Sequence, residues 1–203
     1  MWDSEDAIRV GVSKLARDYK MDHPRRGKAL VFNNKLFHSS LDLGIRNGTD
    51  EDRDSLRHTL ALLGFEVQVF NDKSYKETIK VIKNVAKENH EQYDCLAVCF
   101  LSHGEHGWIY AYDEAFQPDR LWLPFAADLC PTLAGKPKLF FIQACRGKLV
   151  DKGVTLTFDE STTDSKKDTD FYRIPVCADF LVTYSTVPGM MFTSFTLRDS
   201  RNI

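Results

Sequence analysis

The sequence predicts an α/β layer fold with a mainly parallel sheet. Three observations carry that prediction. Short, β-rich apolar runs alternate along the chain with segments of helical period, the pattern of strand–helix–strand units. The boundaries between them bear helix start and stop signals rather than tight hairpin turns. The chain has 203 residues, 43% of them hydrophobic and 28% charged, which is enough apolar material for the core of a single domain.

The elements follow in order. Residues 1–27 are mixed and polar, and His23-Pro24 argues against a helix running through that point. The basic stretch Arg25-Arg26-Gly27-Lys28 reads as a short solvated lead-in. Ala29 to Phe32 is a short apolar run, expected to be a buried strand. Thr49-Asp50 opens an acidic first turn, favoured at helix N-termini. Leu56, Leu60 and Leu63 then recur at helical spacing until Gly64 stops the helix. Phe65 to Phe70 alternates as a second strand. Ser74 and Glu77 form a capping box for a helix whose apolar face carries Ile79, Ile82, Val85 and Ala86. Asp94 precedes a third strand, Cys95 to Leu101. Leu121 to Cys130 is expected to be a helix begun or interrupted at Pro124. Lys138 to Gln143 is a fourth strand and Asp179 to Tyr184 a fifth. Asp159 to Asp170, DESTTDSKKDTD, has twelve residues and no apolar side chain, so it reads as an exposed, cleavable connection.

Several function classes are excluded on composition. The longest apolar run, Cys95 to Leu101, has seven residues, against roughly 18 for a membrane span. Met1-Trp2-Asp3-Ser4-Glu5-Asp6 is acidic where a secretory signal is basic and then apolar. A net charge of −2 gives no field for nucleic acid or an anionic membrane. Five cysteines without a C-x-x-C pair point to a reducing compartment, the cytoplasm, with Cys95, Cys99, Cys130 and Cys177 as small buried hydrophobes. His103 and His106 form an H-x-x-H pair without an acidic or cysteine partner at ligand spacing, so no metal and no cofactor is expected.

In open α/β sheets ligands bind beyond the carboxyl ends of the strands, and three residues suited to chemistry fall there. His103 follows the third strand, Cys145 follows the fourth, and Arg46 lies in the loop after the first. A histidine and a cysteine on the same edge of neighbouring parallel strands can meet, as a thiol nucleophile and its proton partner must. Cys145 would attack as thiolate. His103 would take up the proton and deliver it to the leaving amine. Backbone N–H groups of Gly104 and Cys145 would hold the oxyanion.

The surrounding motifs resemble those of the caspase family. Gln143-Ala144-Cys145-Arg146-Gly147 matches the caspase pentapeptide, with the histidine upstream in Ser102-His103-Gly104-Glu105. Tyr19-Lys20-Met21-Asp22, Phe37-His38, Arg46-Asn47-Gly48-Thr49-Asp50, Gly135-Lys136-Pro137-Lys138, Ile174-Pro175, Asp179-Phe180-Leu181 and Tyr184 to Gly189 occur in the family's order. The resemblance implies a caspase-like sheet with helices on both faces. It implies a cysteine endopeptidase precursor that cleaves proteins after aspartate in apoptosis, with Cys145 as nucleophile and His103 as acid/base. It places Arg46 and Gln143 in the pocket for the substrate aspartate, where a guanidinium suits a carboxylate.

The resemblance also implies an organisation. Residues 1–27 are a short N-terminal peptide, of the executioner type, and 28–158 the large-subunit region. Residues 159–170 are a cleavable linker with Asp164 as the favoured processing site, Asp159, Asp168 and Asp170 being the others. Residues 171–203 are a truncated small-subunit region. After Pro188-Gly189 the family has aromatic residues and a pocket arginine, whereas this chain reads Met190-Met191-Phe192-Thr193-Ser194-Phe195, and the family's last strand is expected to be missing. Upstream caspases, caspase inhibitors and a dimer mate are the family's partners. The alternative is a catalytically weak or silent truncated caspase that binds and modulates full-length caspases or their inhibitors.

Overall fold

The computed structural model describes residues 18–144, 149–150, 178–185 and 190–191. Strand β1, Arg25–Asn33, leads to helix α1, Thr49–Leu62, then to β2, Phe65–Asn71, α2, Tyr75–Ala86, and β3, Tyr93–Leu101. A small antiparallel sheet follows, made of β4, Gly104–Glu105, β5, Trp108–Tyr110, and β6, Ala115–Phe116. Strand β7 is Lys138–Gln143, β8 is Leu149–Val150, β9 is Phe180–Tyr184 and β10 is Met190–Met191. The main sheet has the order β2-β1-β3-β7-β9, every neighbouring pair parallel. The α/β, mainly parallel prediction therefore holds.

Burial explains the order. All nine residues of β3 are buried, as a central parallel strand covered on both faces requires. Side chains alternate between two cores. One face carries Phe32, Phe100 and Phe140 and packs against Ile82 and Val85 of α2 and against Phe125 and Leu133; each such side chain contributes about 1.5–3 kcal/mol. The other face carries the smaller Ala29, Val31, Ala97 and Cys99 under Leu60 of α1. Helices thus lie on both faces. The capping box forms as expected: the Glu77 N–H donates to Ser74 Oγ at 3.3 Å and the Ser74 N–H donates to Glu77 Oε2 at 3.0 Å.

Five expectations need correction. Leu121 to Cys130 is not one helix. Short 3-10 turns occupy Pro118–Leu121, Leu123–Phe125 and Pro131–Leu133, because each proline lacks an N–H and starts a new turn. Leu63 lies past the end of α1 and is 58% exposed. On α2, Thr78 is fully buried and Ile79 only half-buried. Arg25 to Lys28 is no solvated lead-in but the start of β1. There Arg26 pairs with the buried Asp94 at 3.1 Å and His23 Nδ1 meets the same carboxylate at 2.9 Å, so Asp94 is a buried anchor within β3 rather than its preface. Among the described residues no helix is long and apolar enough to cross a membrane.

One buried group links this core to pH. His90 is completely buried and donates Nε2–H to the Val85 carbonyl at 2.7 Å, while its Nδ1 has no partner among the described residues. Burial pushes its pKa below the ordinary imidazole value. Between the folded and unfolded values the unfolded chain binds more protons, so His90 costs stability as pH falls below the ordinary value and through the folded one. Thermal melts from about pH 7.5 to about pH 5.5 should show Tm falling less steeply in His90→Gln, which keeps a donor for Val85 but does not titrate. Superimposable profiles would assign the loss to other groups.

Candidate active site

The site lies at the carboxyl ends of β1, β3 and β7, beside the point where the chain switches from one side of β1 to the other. Register aligns these ends. Leu101 pairs with Gln143, and His103 and Cys145 each follow their strand end by the same two-residue step. Ala144 is buried, and Cys145 itself lies outside the described residues. So do Asp164 and the rest of the polar segment.

His103 is half-buried, with the Phe37 ring 4.9 Å from its own. Its Nε2 lies 2.8 Å from the Gly44 carbonyl oxygen. A carbonyl can only accept, so the neutral imidazole carries its proton on Nε2 and Nδ1 is the basic nitrogen. Burial, and to a lesser degree the positive charge of Arg46, hold the His103 pKa below the ordinary value, against an upward pull from the Gly44 carbonyl. The imidazole is therefore neutral and able to accept a proton at pH 7. Gly104, half-buried, follows at the start of β4.

The structure brings Arg46 and Gln143 together. Arg46 Nη2 donates to Gln143 Oε1 at 3.3 Å, and Arg46 Nη1 donates to the Asn34 carbonyl at 3.0 Å and to Thr49 Oγ1 at 2.7 Å. Gln143 Nε2 donates to Asp52 Oδ2 at 3.1 Å. A guanidinium and an amide thus sit side by side at the edge that also holds His103, a pairing suited to a carboxylate ligand.

Two hollows flank this edge. One, of about 460 Å³, runs over the sheet between α1 and β9, lined by Leu56, Cys99, Phe141, Gln143 and Thr183 among others. The second, of about 330 Å³, lies next to Ala144 with Glu105, Trp108, Gln117 and Trp122 in its wall. Cys95, Cys99 and Cys130 are free and buried, as the sequence predicts. Burial pushes the Cys95 thiol up to about 11 and the Cys99 thiol up to about 12, so neither competes as a nucleophile. Sequence reasoning missed Gly44, Asp52 and the role of the Thr49 hydroxyl. The first acts through a backbone carbonyl, which has no side-chain signature.

Comparisons with known proteins bear on the family and the fold. A caspase domain model matches residues 26–199. Caspase-1 of Spodoptera frugiperda is 48% identical over 95% of this chain and 63% of its own length. Caspase drICE of Drosophila melanogaster is 46% identical over 97% of this chain and 57% of its own length. The chain therefore spans less than two thirds of these curated relatives. The crystal structure of Spodoptera frugiperda caspase-1 superimposes with a TM-score of 0.79 at 47% identity, covering 90% of this chain and 68% of that one.

Proposed function

The chain belongs to the caspase family, and from that premise we propose that it is a cysteine endopeptidase that cleaves proteins after aspartate in apoptosis. The observation that carries this reading is the pairing of Arg46 with Gln143 at the strand edge that holds His103. A substrate aspartate would replace Gln143 Oε1 as the acceptor for Arg46 Nη2, gaining a charge-assisted bond. The Cys145 thiolate would attack the backbone carbonyl carbon of that aspartate, its proton having passed to His103. The oxyanion would be held by the N–H groups of Gly104 and Cys145. His103 would return the proton to the leaving amine, and water would then hydrolyse the acyl-enzyme.

The same premise supports an organisation of 28–158 as large subunit, 159–170 as linker cut at Asp164, and 171–203 as small-subunit region. It also supports a cytoplasmic site of action, and as partners upstream caspases, caspase inhibitors and a second copy. The test is hydrolysis of matched fluorogenic peptides ending in Asp or Asn by the chain nicked in its linker. Cleavage after Asp at least about a hundredfold faster than after Asn is expected, since only the carboxylate pairs with Arg46. Equal rates would sink the assignment of the pocket. No cleavage by folded protein would sink autonomous proteolysis and leave a chain that binds and modulates other caspases.

A further inference from the structure

The residues that hold Arg46 and Gln143 form a second layer with its own logic. Thr49 and Asn33 are 2% and 1% exposed, and the Thr49 hydroxyl donates to Asn33 Oδ1 at 2.7 Å. A hydroxyl has one proton to give. Having given it to Asn33, Thr49 faces Arg46 Nη1 with lone pairs only. The Asn33 amide is fixed in that sense because its Nδ2 donates to Asp50 Oδ1 at 2.9 Å. Both protons of Arg46 Nη1 then have acceptors, Thr49 Oγ1 and the Asn34 carbonyl, and Nη2 is the nitrogen that reaches Gln143.

The first turn of α1 supplies this hydroxyl in an unusual way. The helix is entered through Gly48 at φ 85° with no side-chain cap, so Thr49, at the first helical position, spends its hydroxyl on Arg46 and Asn33. Asp52 stands three residues further on, on the same helix face, and accepts from Gln143 Nε2. That bond turns Gln143 Oε1 toward Arg46.

We propose that the first turn of α1 positions the aspartate pocket: Thr49, backed by Asn33, sets the plane of the Arg46 guanidinium, and Asp52 sets the amide of Gln143. This rests on the reading of Arg46 and Gln143 as that pocket, although the positioning itself can be measured without turnover. Neither Thr49 nor Asp52 would touch substrate; both are positioning residues. Removing either should weaken capture of the aspartate and leave the chemical step alone.

The experiment measures modification of Arg46 by phenylglyoxal in the full chain, followed by peptide mapping, beside KM and kcat for an aspartyl peptide. In Thr49→Val the guanidinium loses an acceptor, and Arg46 should react about tenfold faster, with KM raised about tenfold and kcat within about twofold. Thr49→Ser, which keeps the hydroxyl, should behave as wild type in both. Asp52→Ala, at an exposed position, should raise KM about threefold and leave the reactivity of Arg46 unchanged. Should the valine variant not fold, Thr49→Ala gives the same reading with less bulk. Unchanged reactivity of Arg46 in a folded variant without the hydroxyl overturns the proposal, and so does a serine variant as perturbed as the valine one. If wild-type chain does not cleave the peptide, the reading as an autonomous protease fails while the reactivity of Arg46 still decides the positioning.

Discussion

Turnover of an aspartyl peptide is expected to vanish in Cys145→Ala and to fall about a thousandfold in His103→Ala. The geometry of His103 says what the imidazole contributes. The Gly44 carbonyl fixes the Nε2 proton at 2.8 Å, which leaves Nδ1 as the base. Burial and Arg46 lower its pKa, so the acid limb of the kcat/KM profile set by His103 should lie below the ordinary imidazole value. A merely structural histidine would not shape that limb. Alkylation of Cys145 by iodoacetamide gives a second readout that needs no turnover. In wild type the rate should hold toward lower pH, whereas in His103→Ala it should follow an ordinary thiol of pKa about 8.5. A His103→Ala enzyme within about threefold of wild type, with an unchanged alkylation profile, would remove His103 from the mechanism. Gly44→Ala is the informative contrast. Its added Cβ meets nothing within 4 Å and the carbonyl stays, so activity should be retained.

Strand ends were the legible part of this site. Parallel strands of apolar β-rich residues announce themselves, and chemistry placed just beyond them follows from the fold class. The offset between His103 and Cys145 equals the β3–β7 register that pairs Leu101 with Gln143. Arg46 could be named because it lies in the loop after β1 and in a stretch, Arg46 to Asp50, that resembles the family's sequence. The Gly44 carbonyl could not, since every residue has one. Thr49 reads in sequence as a helix start, which it is, and nothing in the letter says where its hydroxyl goes. The small β4–β6 sheet was missed because its strands have two or three residues, too few for a period to register. Leu121 to Cys130 misled for the opposite reason: the apolar spacing is helical, yet Pro118, Pro124 and Pro131 break the hydrogen-bond ladder that would make a helix of it. Arg25 and Arg26 read as solvated because their partners, Glu66 and Asp94, arrive from distant strands.

Gly27→Ala is expected to unfold the chain or to lower its stability by more than about 3 kcal/mol, a large share of the roughly 5–15 kcal/mol typical of a domain. Gly27 pairs with Phe65 of β2 on one side and Cys95 of β3 on the other. A Cβ there would lie 2.1 Å from the Cys95 carbonyl oxygen and 2.9 Å from its carbon. Both are backbone atoms of a strand buried on both faces, so no side chain can swing aside to make room. The backbone at Gly27, φ 155°, is also one that residues with a Cβ rarely adopt. The remaining response is for β1 to move. That would carry the strain to its far end, where Asn33 and Asn34 hold Thr49 and Arg46. A folded remnant of Gly27→Ala should therefore show Arg46 modified by phenylglyoxal faster than in wild type, although Gly27 lies at the opposite end of β1 from the site. Gly44→Ala, in open space, serves as the stability control. A Gly27→Ala protein that melts within a few degrees of wild type would mean that β1 and β3 do not approach as closely as their register implies. The same result would end the argument that β1 transmits strain to the pocket, because there would be no strain to transmit.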